Sequence, residues 1–255
     1  MAQLLHYNVQ LVKELWDKAW GHPWPNQSTR NITLTDISPD EDVPMLAESD
    51  EDHRTATPAH SSIKDEWEYT FLLNIKSVVA ACGGTHESIE DALIVRPEYT
   101  WLIDTMEHGY LKNRNTMVVT GQPGIGPYTG SVCAPECANV NAGKTVFLIY
   151  LLLYRLERML PTAVQFSNDS YIVFDADGAV VSNTRIPWYC DRQYWALADS
   201  NEELIIPCGP FRRSGARLIQ ASSPRPDTWK DWTKYRSGRI VVSELPTPLE
   251  IGAIL

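Results

Sequence analysis

Two short strings in this 255-residue chain carry the residue types that cradle phosphate. Gly121-Gln122-Pro123-Gly124-Ile125-Gly126 follows the apolar run Met117, Val118, Val119, and Gly143-Lys144-Thr145 opens the long apolar stretch Val146 to Met159. A phosphate-binding loop needs Gly, four residues, then Gly-Lys-Ser or Gly-Lys-Thr, placed between a strand and a helix. Its backbone N–H groups wrap the phosphate oxygens where no Cβ interferes, and the helix start adds its dipole. Both halves are present here, with residues 127–142 between them. Removal of that segment and one Gly leaves Gly-Gln-Pro-Gly-Ile-Gly-Lys-Thr, a complete motif in the required setting. In that reading Gly121, Gly124, Gly126, Gly143, Lys144 and Thr145 bind nucleotide.

The intervening segment, Pro127 to Ala142, has no hydrophobic periodicity and is richer in Cys and Pro than its surroundings, so it reads as a translated intron. A GT donor inside a GGT codon for Gly126 and an AG acceptor spanning Ala142 and Gly143 would restore Gly-Lys-Thr in frame. The competing reading makes Cys133 and Cys137 metal ligands, but Cys-x₃-Cys without a second pair is a weak zinc signal. The excursion takes Gly121 to Gly126 away from the phosphates that Lys144 approaches, so impaired nucleotide binding is expected. Residues Ala138 to Thr145 keep the spacing to Gly-Lys-Thr, with Ala138 in the place of the first Gly, which leaves a degraded local loop.

A phosphate loop works opposite an acidic residue at the end of a second strand. Tyr194 to Ala198 followed by Asp199 supplies one, and Asp199 is expected beside Thr145 and Mg²⁺; the plainer reading is an ordinary strand end capped by Asp. Asp175-Ala176-Asp177-Gly178 reads instead as a hairpin turn. Ser222 and Ser223 end another strand, where a hydroxyl would face a γ-phosphate or merely form a turn before Pro224. Arg212 and Arg213 read as a solvated pair.

The elements that must hold these residues follow from periodicity. The expected fold is a P-loop NTPase-like three-layer α/β sandwich around a mainly parallel sheet, with strands near residues 116–120, 162–167, 194–198, 217–221 and 239–243. An amphipathic helix is expected from Leu4 to Trp20, within an N-terminal helical segment, 1–35. Residues 36–62 are rich in Asp, Glu, Pro, Ser and Thr and read as an acidic flexible linker. A helical lead-in, 63–114, is expected to carry helices over Trp67–Ala81 and Ser88–Ile94 and one opening at Arg96-Pro97-Glu98-Tyr99. The nucleotide-binding domain then runs over 115–255.

Composition sets limits on function. The net charge of −10 gives no global basic field for a nucleic-acid backbone or an anionic membrane. Val146 to Tyr154, the longest apolar run, is too short to span a bilayer, and the N-terminus lacks a signal-peptide pattern, so an intracellular protein, cytoplasmic or nuclear, is expected. Five Cys at irregular spacing point to reduced thiols, with Cys82, Cys190 and Cys208 in core or surface positions.

With these residues in hand, the chain resembles fungal P-loop ATPase proteins related to crinkler effectors and the retrotransposon hot spot family. The resemblance runs from about Val95 to the C-terminus. It rests on the split glycine motif with its apolar helix, Trp195-Ala-Leu-Ala-Asp-Ser-Asn201, Ala221-Ser-Ser-Pro224, and Trp229-Lys-Asp-Trp232 before Ile240-Val-Val. It implies an ATP-binding and ATP-hydrolysing module that regulates an attached effector domain, with Lys144, Thr145 and Asp199 in the usual roles. The chain departs from the pattern in its split loop and in ending at Leu255 inside an expected helix, Thr247–Leu255, as a C-terminally truncated fragment would. The alternative is a catalytically inactive interaction fragment that binds protein partners through its N-terminal helix and acidic linker.

Overall fold

The computed structural model describes residues 9–33, 66–84, 91–121, 142–200, 204, 206–222 and 229–243. The linker at 36–62, the segment 127–141 with Cys133 and Cys137, and the expected helix at 247–255 lie outside the described residues.

A seven-stranded sheet organises the molecule. Its strands are β4 (Thr116–Gly121), β5 (Thr162–Gln165), β6 (Ser170–Asp175), β7 (Gly178–Asn183), β8 (Trp195–Asp199), β9 (Arg217–Ser222) and β10 (Arg239–Ser243). They lie in the order β10-β4-β9-β8-β5-β6-β7. The first five in that order run parallel, and β6 and β7 add an antiparallel hairpin at one edge. The parallel strands read as continuous apolar runs because both faces are covered: β8 and β9 are buried at every position. The hairpin turns at Ala176-Asp177. The Asp177 N–H donates to Asp175 Oδ1 at 3.0 Å and Gly178 takes a φ of 127°, so these acidic residues serve the turn.

Chain direction through this order places the helices. The step from β4 to β5 crosses the sheet one way, and the steps β5 to β8 to β9 to β10 return. Crossovers of one hand therefore put their helices on opposite faces. Helix α4 (Ala142–Glu157) packs Phe147, Leu148 and Leu151 against Met117, Val119, Leu197 and Ile219 on one face. Helices α5 (Gly209–Arg213) and α6 (Lys230–Tyr235) bring Phe211 and Trp232 against Val118, Ala196 and Leu218 on the other. Successive apolar residues of β4, β5, β6 and β8 alternate between the two clusters, as the two-residue period of a strand requires.

The N-terminal part departs from expectation. Helix α1 spans Val9–Ala19 and buries Val12, Leu15 and Ala19 in the same core as α4, while the Trp16 indole N–H donates to the Asp175 carbonyl at 2.9 Å. The helix expected over Trp67–Ala81 is instead strand β2 (Glu66–Leu73) followed by the short helix α2 (Ile75–Ala81). Asn74, in the left-handed region at φ 61°, turns the chain between them. Part of the stretch read as helical at Ser88–Ile94 is strand β3 (Ala92–Val95). Together with β1 (Gln27–Thr33) these form a second sheet, β1-β2-β3, antiparallel throughout. Trp, Tyr, Thr and Phe in β2 favour the pleated conformation, and pairing across long sequence gaps selected it over the helical pattern. Helix α3 (Pro97–Glu107) begins where Pro97 requires, with Arg96 extended before it. Among the described residues no helix is long and apolar enough to cross a membrane.

Candidate functional site

The carboxyl ends of the parallel strands form one edge of the sheet. That edge carries Gly121 on β4, Gln165 on β5, Asp199 on β8, Ser222 on β9 and Ser243 on β10. Register aligns them: Asp199 pairs with Ala221, Thr120 with Ser222, and Gly121 with Ser243. In open α/β sheets this edge, where strand order reverses, is where ligands bind.

Helix α4 starts at the same edge, so its first turn carries Gly143, Lys144 and Thr145. The Thr145 hydroxyl reaches Asp199 across the gap between α4 and β8, with Oγ1 3.0 Å from Oδ1 and 3.1 Å from Oδ2. Asp199 is 3% exposed and Thr145 half-buried. Two residues separated by 54 positions are thus joined at the point where a helix N-terminus meets the sheet edge. Lys144 is half-buried beside them. Burial pulls its ammonium below the ordinary value, and the Asp199 carboxylate opposes that shift. A buried carboxylate, a hydroxyl and a partly desolvated ammonium at a helix start form a set of hard oxygen donors with one cation, which suits an anion carried with a hard divalent metal. Among the described residues no group of three or more His, Cys, Asp or Glu could hold a metal ion by itself.

Of the other expected site residues, Gly121 ends β4 and Gly143 lies in the first turn of α4, whereas Gly124 and Gly126 lie outside the described residues. Ser222 is buried at the end of β9, and Ser223 and Pro224 are outside. Arg212 and Arg213 are exposed on α5, where the Arg212 Nε donates to the Pro207 carbonyl at 2.8 Å, a local cap. Cys82, Cys190 and Cys208 are free thiols, with Cys82 and Cys208 buried.

Sequence reading missed two groups at this edge. Gln165 is fully buried; its Oε1 accepts the Cys208 N–H at 2.9 Å and its Nε2 donates to the Ser167 carbonyl at 2.8 Å. It thereby ties the end of β5 to the segment that follows β8. Glu98, in the first turn of α3, accepts from the Ser243 hydroxyl at 3.2 Å and pairs with Arg96 at 2.9 Å. A lone Gln closing an apolar strand was the available signal for the first. Nothing local announced the second, because β10 and α3 meet only in the fold.

Comparison with family models, curated proteins and solved structures found no match for this chain.

Proposed function

We propose that the chain is a P-loop NTPase domain that binds ATP with Mg²⁺ at the start of α4. The observation that carries the proposal is the Thr145–Asp199 pairing at the carboxyl edge. The loop residue that would share the metal with phosphate stands against the carboxylate that would hold that metal from the opposite strand. The glycine string after β4, the Gly-Lys-Thr in the first turn of α4 and the reversal of strand order beside β4 agree with it. Lys144 would meet the β- and γ-phosphate charges, and Mg²⁺ would neutralise charge on the same oxygens. Thr145 would orient the metal side and Asp199 would fix it from β8. In this proposal nucleotide state would regulate an attached effector domain, since the crinkler-related and retrotransposon hot spot ATPases that the chain resembles are in some cases joined to one.

The segment between Gly126 and Gly143 lowers affinity in this reading. Titration of Mg²⁺-ATP into the full chain and into a version lacking residues 127–143, each with a Lys144→Ala control, tests it. Binding by the shortened version that disappears with Lys144→Ala supports a P-loop whose insert is a defect. Lys144-dependent binding by the full chain supports a loop that tolerates the insert. Absence of binding by both sinks the proposal and leaves a catalytically inactive, protein-binding role as the alternative.

A further inference from the structure

The amino ends of the parallel strands gather cations that no carboxylate neutralises. Gly109 turns the chain off the end of α3, at a place where a Cβ would stand 2.9 Å from the Thr105 backbone. Leu111, 1% exposed, anchors the tight turn that follows. In it the Lys112 N–H donates to the Gly109 carbonyl at 3.0 Å and the Arg114 N–H to the Leu111 carbonyl at 2.9 Å. Arg192, on the loop before β8, closes on this turn and donates its Nη2 to the Lys112 carbonyl at 2.7 Å. Arg217, buried at the start of β9, donates to the Leu111 carbonyl at 2.7 Å and shares the Trp195 ring with Arg155. Burial, and then the charge of Arg192, pull the Arg217 guanidinium down to about 10.

Among the described residues the ion pairs are Arg96–Glu98, His108–Asp104 and Arg158–Glu157, so Lys112, Arg114, Arg155, Arg192 and Arg217 stand outside any pair. The carboxylates of the same stretches are bonded elsewhere. Glu107 accepts the Tyr154 hydroxyl at 2.9 Å, and Asp191 accepts the Gln193 N–H at 2.8 Å. In a chain of net charge −10, this local concentration of like charge repels itself and is relieved by an anion from outside. Lys112 and Arg192 are exposed and Arg114 is half-buried. Two rings stand clear beside them: Tyr110 on the turn is 73% exposed, and Tyr189 on the loop that carries Arg192 is 90% exposed. Guanidinium forks fit phosphate oxygens, and exposed rings stack on unpaired bases.

We infer that this amino-end patch binds single-stranded nucleic acid, with Lys112, Arg114 and Arg192 on phosphates and Tyr110 against a base. Buried Arg155 and Arg217 strengthen the positive field without touching the strand. An acidic peptide would use the cations but leave the exposed ring without a stacked partner, and a duplex keeps its bases from that ring. The patch lies at the opposite end of the strands from Asp199 and Thr145, so the inference stands apart from the nucleotide reading.

Fluorescence anisotropy of the full chain without ATP tests this, with labelled oligothymidylate, a duplex of the same length and labelled poly-glutamate as probes. Oligothymidylate is expected to bind at low salt, with log affinity falling by about 2 for each tenfold rise in salt, the slope for three phosphates on a single strand. Lys112→Gln combined with Arg192→Gln should reduce that slope to about 0.7. Tyr110→Ser should weaken binding about tenfold and leave the slope unchanged. Lys13→Gln, on the exposed side of α1, should change neither. Circular dichroism checks the fold of each variant; if loss of the Arg192 bond to Lys112 unfolds the chain, Arg114→Gln and Tyr110→Ser decide the matter. Absence of binding at low salt overturns the inference, as does equal weakening by Lys13→Gln. Poly-glutamate bound as tightly as the oligonucleotide would make the patch a surface for acidic proteins instead. Duplex bound as well as the single strand, with no effect of Tyr110→Ser, would also overturn it.

Discussion

Thr145 on α4 donates its hydroxyl to both carboxylate oxygens of Asp199 on β8, at 3.0 and 3.1 Å. The pairing concentrates a buried negative charge against the first turn of the helix, where the dipole is positive. Thr145→Val takes away a donor from that buried carboxylate and is expected to lower unfolding free energy by about 1–3 kcal/mol, whereas Thr145→Ser stays close to the original. Urea denaturation of the two variants checks this; equal stability of the Val and Ser forms would show that the hydroxyl contributes nothing.

Nucleotide binding separates role from stability. Asp199→Asn keeps the shape and a hydrogen-bond acceptor but removes the charge that a divalent cation needs. Its affinity for Mg²⁺-ATP is expected to fall by roughly tenfold or more, about 1.4 kcal/mol, with a smaller loss for ATP measured in EDTA. The comparison uses whichever form of the loop binds nucleotide. Equal losses with and without Mg²⁺ would count against Asp199 as a metal-side residue.

The opposite edge of the sheet is held by two buried guanidiniums. Arg155 and Arg217 stand over the ring of Trp195 at 4.1 and 4.5 Å. Arg217 donates to the carbonyls of Met106 and Leu111 near the end of α3 at 2.8 and 2.7 Å, and Arg155 donates to Thr162 Oγ1 and to the carbonyls of Pro161 and Gln193. Arg217→Met strands the two carbonyls and is expected to cost about 3 kcal/mol. Because both cations share one ring, Trp195→Leu combined with Arg217→Met should cost less than the sum of the single changes. Additivity within about 0.5 kcal/mol in denaturant melts would show the residues to be independent.

Burial pushes the Cys82 thiol up to about 12 and the Cys208 thiol up to about 11, against an ordinary 9.0. In the folded chain both stay protonated at pH 8.5, so iodoacetamide followed by peptide mapping should leave them unlabelled and label them after denaturation. Their folded values lie above the unfolded one. The stability they contribute is therefore complete below pH 9 and is lost as pH rises from 9 toward 11 and 12. Cys82→Ala should flatten part of that alkaline decline in urea midpoints between pH 8 and 10, and an unchanged slope would exclude Cys82 from it.

The segment from Pro127 to Ala142 makes a prediction about the gene. If it is a translated intron, transcripts that join Gly126 to Lys144 through a single Gly codon exist beside those that retain the segment. Amplification across the junction from RNA reads this directly. Finding retained forms alone would reject the intron reading.

The amino-acid sequence by itself determined most of the parallel core of the sheet. Continuous apolar runs ending in Gly121, Asp199 and Ser222 marked β4, β8 and β9 because strands covered on both faces leave no room for polar alternation. The Asp175 turn, Pro97 at the start of α3 and the long apolar α4 were likewise local signals. Tertiary structure alone decided that Trp67 to Leu73 is a strand. Its partners, Asn31 and Ile32 on one side and Leu93 on the other, are distant in the chain, and the ladder with them overrides a locally helical pattern. Asp199 beside Thr145 was expected from the motif, but the strand order that brings the two together, and the meeting of Ser243 with Glu98, were beyond sequence reading. Those contacts span 54 and 145 positions and arise only when parallel strands and their crossovers close on one core.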